Sequence, residues 1–236
     1  MNLSKRILWS LAGITLASGQ VMAQTEAPTG SHIHRPKPVE IVDSVKLTKS
    51  EIARRATNEF GQCVVMTSPK KVDVTVALGL KEPALTRSLK SLATPECLRE
   101  GALKMPQELM LGSIFRAMYL RDFSKAQPPL LERGFDFKAL VEDPNSPDGV
   151  AQILLRDFAD CVVRADLEAS RTLTMSTAGS AKEKSAFAML IPKMGPCMPQ
   201  GLTVNFSKDV LAALIAEVLY RNSRDAFAAA SVGENQ

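Results

Sequence analysis

The chain has 236 residues, 45% of them hydrophobic, with 29 Lys and Arg against 25 Asp and Glu and a formal charge of +4. That length can bury a substantial core, and so even a charge balance offers no basic stripe for phosphates, which argues against nucleic acid and an anionic membrane surface as partners. Two histidines, four cysteines and one tryptophan narrow the remaining chemistry further.

The first 23 residues are laid out as an export signal. Lys5 and Arg6 precede an apolar run from Ile7 to Ala17, and Val21-Met22-Ala23 presents small side chains at the two positions a signal peptidase reads. Gly13, Thr15 and Ser18 break up this region, and the run is shorter than the roughly 20 apolar residues a spanning helix needs. Cleavage is expected after Ala23, giving a periplasmic or secreted protein with no integral membrane segment. Trp9 leaves with the signal, and loss of Lys5 and Arg6 lowers the formal charge from +4 to +2. Residues 24–46 carry Pro28, Gly30, Pro36 and Pro38 among polar neighbours, the composition of a disordered leader.

Folded structure is expected from Thr48-Lys49-Ser50-Glu51, a capping box in which the Thr oxygen takes the Glu amide and the carboxylate reaches back. The following helix places Ile52, Ala56, Phe60, Cys63 and Val64 on one face. Ser68-Pro69 is read as capping and opening a short second helix with Val72 and Val76 inward. A third helix runs from about Pro83 to Leu92 with Leu85, Leu89 and Leu92 inward, and Pro95 stops it ahead of Cys97. Leu103-Lys104-Met105 reads as a short extended piece, and Pro106 then opens a helix carrying Met110, Ile114, Ala117 and Met118.

A connection follows, rich in proline but holding Phe123, Phe135 and Phe137, so it is expected to lie over the fold and bury aromatics. The pattern then repeats. Phe60-Gly61-Gln62-Cys63-Val64-Val65 returns 98 residues later as Phe158-Ala159-Asp160-Cys161-Val162-Val163, on a helix whose stripe is Val150, Leu154, Phe158, Cys161 and Val162. Ser180-Ala181-Lys182-Glu183 is a second capping box, opening a helix with Phe187, Leu190 and Ile191 inward and halted by Pro192 and Pro196 before Cys197. Leu202 to Phe206 alternates like a strand and could pair with the earlier extended piece. Ser207 caps the strongest helix, with Leu211, Leu214, Ile215, Val218 and Leu219, and Tyr220 falls 101 residues after Tyr119. Self-similarity at this period implies a tandem duplication. The expected organisation is a signal peptide at 1–23, a leader at 24–46, helical repeats at 48–122 and 148–222, a connecting loop at 123–147, and a C-terminal tail at 223–236.

Four cysteines in an oxidising compartment are expected to form disulfides. Three connectivities are possible, and duplication favours Cys63–Cys97 and Cys161–Cys197, since a single ancestral unit had to pair its own thiols. Zinc is disfavoured because no closely spaced cysteines occur and the helical region has no histidine. His32 and His34, in the leader, leave no Ser-His-Asp or Cys-His machinery. Carboxylates are the remaining catalytic option, and Asp157, Asp160 and Glu217 are read as ordinary exposed helix residues. Arg116 and Glu217 occupy equivalent places in the two fourth helices with opposite charge, so they are a candidate ion pair across the repeats. Arg54-Arg55 and Lys70-Lys71 read as solvated positions. Met194 and Met198 beside Cys197 are expected to fill core gaps instead of holding copper. Gly112 and Gly179 are isolated and lack a phosphate-loop context.

The paired Phe-Gly-x-Cys-Val-Val and Phe-Ala-x-Cys-Val-Val segments, with Glu217-Val218-Leu219-Tyr220 near the end, resemble uncharacterised secreted bacterial proteins that repeat a Gly-x-Cys-Val-Val helix and an Ala-x-x-Leu-Tyr helix. The resemblance spans most of residues 48–222. It implies an architecture and brings no activity, cofactor or site residue with it. The expected fold is all-α, with at most one very short β-ribbon, built from two copies of a disulfide-stapled four-helix unit. The expected function is a non-catalytic interaction or structural module of the bacterial envelope, with no catalytic residues, metal or cofactor. Its partner would be a protein or a hydrophobic small molecule held between the halves. The alternative is a carboxylate-dependent periplasmic hydrolase. A buried acid with a raised pKa in a cleft would favour the enzyme, and an apolar groove rimmed by polar residues would favour binding.

Overall fold

The computed structural model describes residues 47–98, 105–125, 130, 133–199 and 207–233, all within one unit spanning 45–236. The fold is all-α, and among the described residues there is no strand. The elements are α1 (Lys49–Thr67), α2 (Pro69–Ala77), α3 (Ala84–Leu92), α4 (Pro95–Leu98), α5 (Gln107–Phe123), a 3-10 turn (Phe137–Leu140), α6 (Pro147–Ala165), α7 (Leu167–Met175), α8 (Ala181–Cys197) and α9 (Lys208–Gly233). The expected signal peptide, the leader and the extended pieces at Leu103-Lys104 and Leu202–Phe206 lie outside the described residues.

Local chemistry sets the helix ends. At α1 both halves of the capping box form, Glu51 N donating to Thr48 Oγ1 at 3.2 Å and Thr48 N to Glu51 Oε2 at 2.7 Å. The second box is only half made. Ser180 Oγ accepts from Glu183 N at 3.2 Å, but the Glu183 carboxylate binds Gly179 N at 2.8 Å and turns its other oxygen to Arg54. Ser68 makes no side-chain cap bond, so α2 is opened by Pro69 alone, whose missing N–H is no loss at a helix start.

Helices α5 and α9 meet at the centre over the most extensive helix–helix contact, with α1 packed on α5 and α6 packed on α9. Glycine permits the central crossing: a Cβ at Gly112 would fall inside the van der Waals envelope of the Ala213 side chain. Gly61 likewise lets α1 approach the Ser113 backbone on α5. The buried core joins Phe60, Val64, Ile114, Phe115 and Met118 to Phe158, Val162, Ile215, Val218 and Leu219. On α3, Leu85, Leu89 and Leu92 are 0%, 3% and 1% exposed, each giving roughly 1.5–3 kcal/mol as an upper bound.

Several expectations need correction. Ile52, Val150 and Ile191 are exposed, so the buried stripes are narrower than the helical period alone suggests. α8 does not stop before its prolines but runs through Pro192 and Pro196 to Cys197. Both prolines are exposed, so the carbonyls they leave unbonded face solvent and the helix tolerates them. The segment beyond residue 222 is no tail. α9 continues to Gly233, held by buried Asn222, Ser223 and Ala226 on the same face as its apolar stripe. The connection buries Phe123 and Phe137 as expected, and the Leu140 carbonyl accepts from Leu80 N at 2.7 Å, tying it to the turn after α2.

Candidate functional site

The four cysteines form two disulfides. Cys63–Cys97, with Cα atoms 5.5 Å apart, ties α1 to α4, and Cys161–Cys197, 5.6 Å apart, ties α6 to the end of α8. Each staple closes a segment of similar length, the separations being 34 and 36 residues. Met194 and Met198 are partly buried against the core. Among the described residues no group of three His, Cys, Asp or Glu side chains is arranged to hold a metal ion, and no helix is long and apolar enough to cross a membrane. His32 and His34 lie outside the described residues.

Arg116 and Glu217 do not pair. They sit on α5 and α9 but face different neighbours: Arg116 Nη2 donates to the Ser176 carbonyl at the end of α7, at 3.0 Å, whereas Glu217 turns toward α6. There Glu217 Oε2 accepts from Arg156 Nη2 at 2.7 Å and Oε1 from Arg221 Nε at 3.0 Å. The Arg156 and Glu217 side chains are 2% and 4% exposed. Arg156 Nη1 also donates to Gln152 Oε1 at 2.7 Å, while its Nε is buried without a partner among the described residues. Burial pushes the Glu217 carboxyl up, but Arg156 and Arg221 attract the carboxylate more strongly and hold it below its ordinary value. A buried carboxylate braced by two guanidiniums is a structural lock and a poor proton donor.

The other acidic candidates also differ from the sequence reading. Asp160 is partly buried, accepting from Arg164 Nε and from Asn222 Nδ2, both at 2.7 Å. Asp157 is exposed on α6, and partial desolvation together with nearby Asp160 pushes its carboxyl up. Arg54 and Arg55 are not solvated. Arg55 Nε donates to the Ala178 carbonyl at 2.7 Å, and the Arg54 side chain is 12% exposed and bonded to Glu183.

Arg54 leads to the feature with most functional content, a cleft of about 200 Å³ bounded by α1, α5, α7, the start of α8 and α9. Its volume exists because its walls carry small side chains, Ala53 and Ala56 from α1, Gly112 and Ser113 from α5, and Ala212, Ala213 and Ala216 from α9, with Leu109 and Leu173 as the larger apolar surfaces. Four charged groups reach it. Arg54 Nη1 bonds Glu183 Oε1, and Arg54 Nε lies 2.9 Å from Asp209 Oδ1 in an ion pair whose angle misses hydrogen-bond geometry. Asp209 also accepts from Ser50 Oγ at 3.0 Å, and Glu183 from Gly179 N. Both carboxylates are thus committed to Arg54 and to local donors. The fourth group, Arg116, has only the Ser176 carbonyl among the described residues. Burial pushes its pKa down, with Glu183 opposing from a distance.

Sequence reasoning identified Arg116 as a candidate and missed its setting. It read Arg54 as solvated and Glu183 as closing its own capping box, and so missed that the two meet between α1 and α8. Compared with protein-family models, with curated proteins and with solved structures, the chain matches none.

Proposed function

We propose that this is an exported, non-catalytic binding module of the bacterial envelope, made of two copies of one disulfide-stapled helical unit, which holds a hydrophobic small molecule in the cleft between them. The carrying observation is the cleft itself, walled by α1 and α5 of the first half and α7, α8 and α9 of the second, apolar over most of its lining and rimmed by charged groups. An engineered cavity of about 150 Å³ takes benzene, so about 200 Å³ suits an apolar body of roughly eight to ten heavy atoms.

The duplication is supported by position-by-position agreement. Ile52 and Val150 are both exposed, Phe60 and Phe158 are both 3% exposed, and Val64 and Val162 are both 0%. The order of packing, α1 on α5, α5 on α9 and α9 on α6, reads the same from either end. Two disulfides are compatible with an oxidising compartment such as the periplasm. Against the hydrolase reading stands the state of the acids: buried Glu217 is held ionised, and the carboxyl that is pushed up, Asp157, is exposed.

Calorimetric titration with neutral apolar probes, indole and 1-octanol, tests the reading. Saturable one-site binding is expected, weakened severalfold or more in Ala56→Phe, whose ring would enter the cleft from an exposed backbone position. Absence of binding by both probes to the disulfide-intact protein would overturn it.

A further inference from the structure

The cleft contains an asymmetry that size and apolarity do not explain. Its two cations and two anions balance in number, yet both anions are committed to one cation. Glu183 is 5% exposed and gives one oxygen to Arg54 and the other to Gly179 N. Asp209 faces Arg54 and Ser50. Among the described residues Arg116 has no carboxylate in contact, and only one of its guanidinium's five N–H donors is used, on the Ser176 carbonyl. The remaining donors meet no acceptor among the described residues and are not fully buried, so they stay open to the cleft, whose lining is mostly apolar, Leu109, Leu173 and Ala213 among it, with Thr57, Asn58 and Thr174 as polar interruptions.

An arginine cannot relieve this by losing its proton. It is half-buried, and that partial burial pushes its pKa down. The planar fork is suited to one kind of complement, two oxygens in a plane, which a carboxylate supplies with two charge-assisted hydrogen bonds. A wall of small apolar side chains beside such a fork is the arrangement that reads an amphiphile, with its head on the guanidinium and its body along the alanines.

We propose that Arg116 is a ligand-binding residue and that the natural ligand of the cleft is a small monocarboxylic acid of roughly eight to ten heavy atoms in all, a reading that rests on the cleft being a binding site. Arg54 is not a second recognition group. Pinned between Glu183 and Asp209, it joins α1 to the starts of α8 and α9 and holds the cleft open at that end.

The test is a calorimetric titration of octanoate, octanamide, 1-octanol and octylamine against the wild-type protein, Arg116→Gln and Arg116→Lys, with disulfides intact. Octanoate is expected to bind at least about tenfold tighter than octanamide or octanol, the size of effect that charge-assisted hydrogen bonds supply, and octylamine weakest of all. Arg116→Gln should abolish that preference while leaving octanol affinity within about twofold, which also shows the cleft intact. Arg116→Lys, which keeps the charge and loses the fork, should retain part of it. If octanol or octanamide matches octanoate, or if Arg116→Gln keeps the preference, the assignment to acids is overturned although the cleft still binds. If none of the four compounds binds, the cleft reading fails and takes this inference with it.

Discussion

Glu217→Gln is the substitution that most directly probes the interior. It removes the charge from a side chain that is 4% exposed and leaves Arg156, 2% exposed and already lacking a partner at Nε among the described residues, without its counter-ion. Gln can still accept one hydrogen bond but presents an amide N–H₂ to one of the two guanidiniums. Arg221 is the less constrained of the two, 10% exposed and lying 4.6 Å over the Phe115 ring, so it can turn outward, whereas Arg156 cannot. Removing one partner of a buried pair costs roughly 3–5 kcal/mol, which for a domain of this size lowers the melting temperature by roughly 6–20 °C. The assay is guanidinium denaturation followed by far-ultraviolet circular dichroism, reading a shift in midpoint at unchanged slope. A companion variant, Arg156→Met with Glu217→Leu, removes both charges at similar volume and should lose no more than about 1–2 kcal/mol. The pH dependence has a definite sign. Burial raises the Glu217 carboxyl and the two arginines lower it further, to below its ordinary 4.5, so its stabilisation is complete above that pH and lost as pH falls through the folded value. Glu217→Gln should flatten that acid limb. A loss under about 1 kcal/mol for Glu217→Gln, or a double variant as damaged as the single, would refute the argument.

Three further outcomes are expected. Gly112→Ala forces α5 away from Ala213, and overpacking set against better helix propensity leaves a net loss of about 1–2 kcal/mol; Ala213→Gly in the same chain should recover part of it in the same denaturation assay. Replacing Cys161 and Cys197 together by serine should cost roughly 3–4 kcal/mol on the chain-entropy argument for a 36-residue separation, and Cys63 with Cys97 about the same; loss of under about 1 kcal/mol from either pair would count against the staple role. Burial pushes the Tyr220 hydroxyl up to about 12, with Arg224 opposing, so its contribution to stability is present below about pH 10 and lost as pH rises from there toward 12. Tyr119 is also raised, chiefly by burial, and the chain has two tyrosines. Ultraviolet titration should therefore show no tyrosinate step near pH 10 until the protein unfolds.

What was legible in the sequence was whatever depends on neighbours in the chain. Thr48 and Glu51 meet because they are three residues apart, and Phe60 with Val64, or Leu85 with Leu89, share a face by the helical period alone. The disulfides were legible through repetition. The buried charges were not, because an apolar-polar pattern assigns every Arg and Glu to solvent. Arg156 stands three residues after Ile153 and three before Ala159, on a face that proves to be buried, and Glu217 stands between Leu214 and Val218. Charged residues interrupting an apolar stripe, with Arg221 four residues beyond Glu217, were the available sign of an ion pair turned inward. The cleft had a fainter sign. Alanine has the highest helix propensity, so Ala212, Ala213 and Ala216 carry no distinct signal within a helix, and only the crossing with α5 shows that their smallness leaves space.

The position of α9 in the chain bears on how the protein comes into being. The element that covers Phe115 and Ile114 on one side and α6 on the other is made after every other helix among the described residues. Until it emerges from the ribosome, the faces of α5 and α6 that it covers stay open. A premature stop codon upstream of Lys208 would consequently yield one truncated chain with those faces exposed, a sticky product for proteases and chaperones to clear.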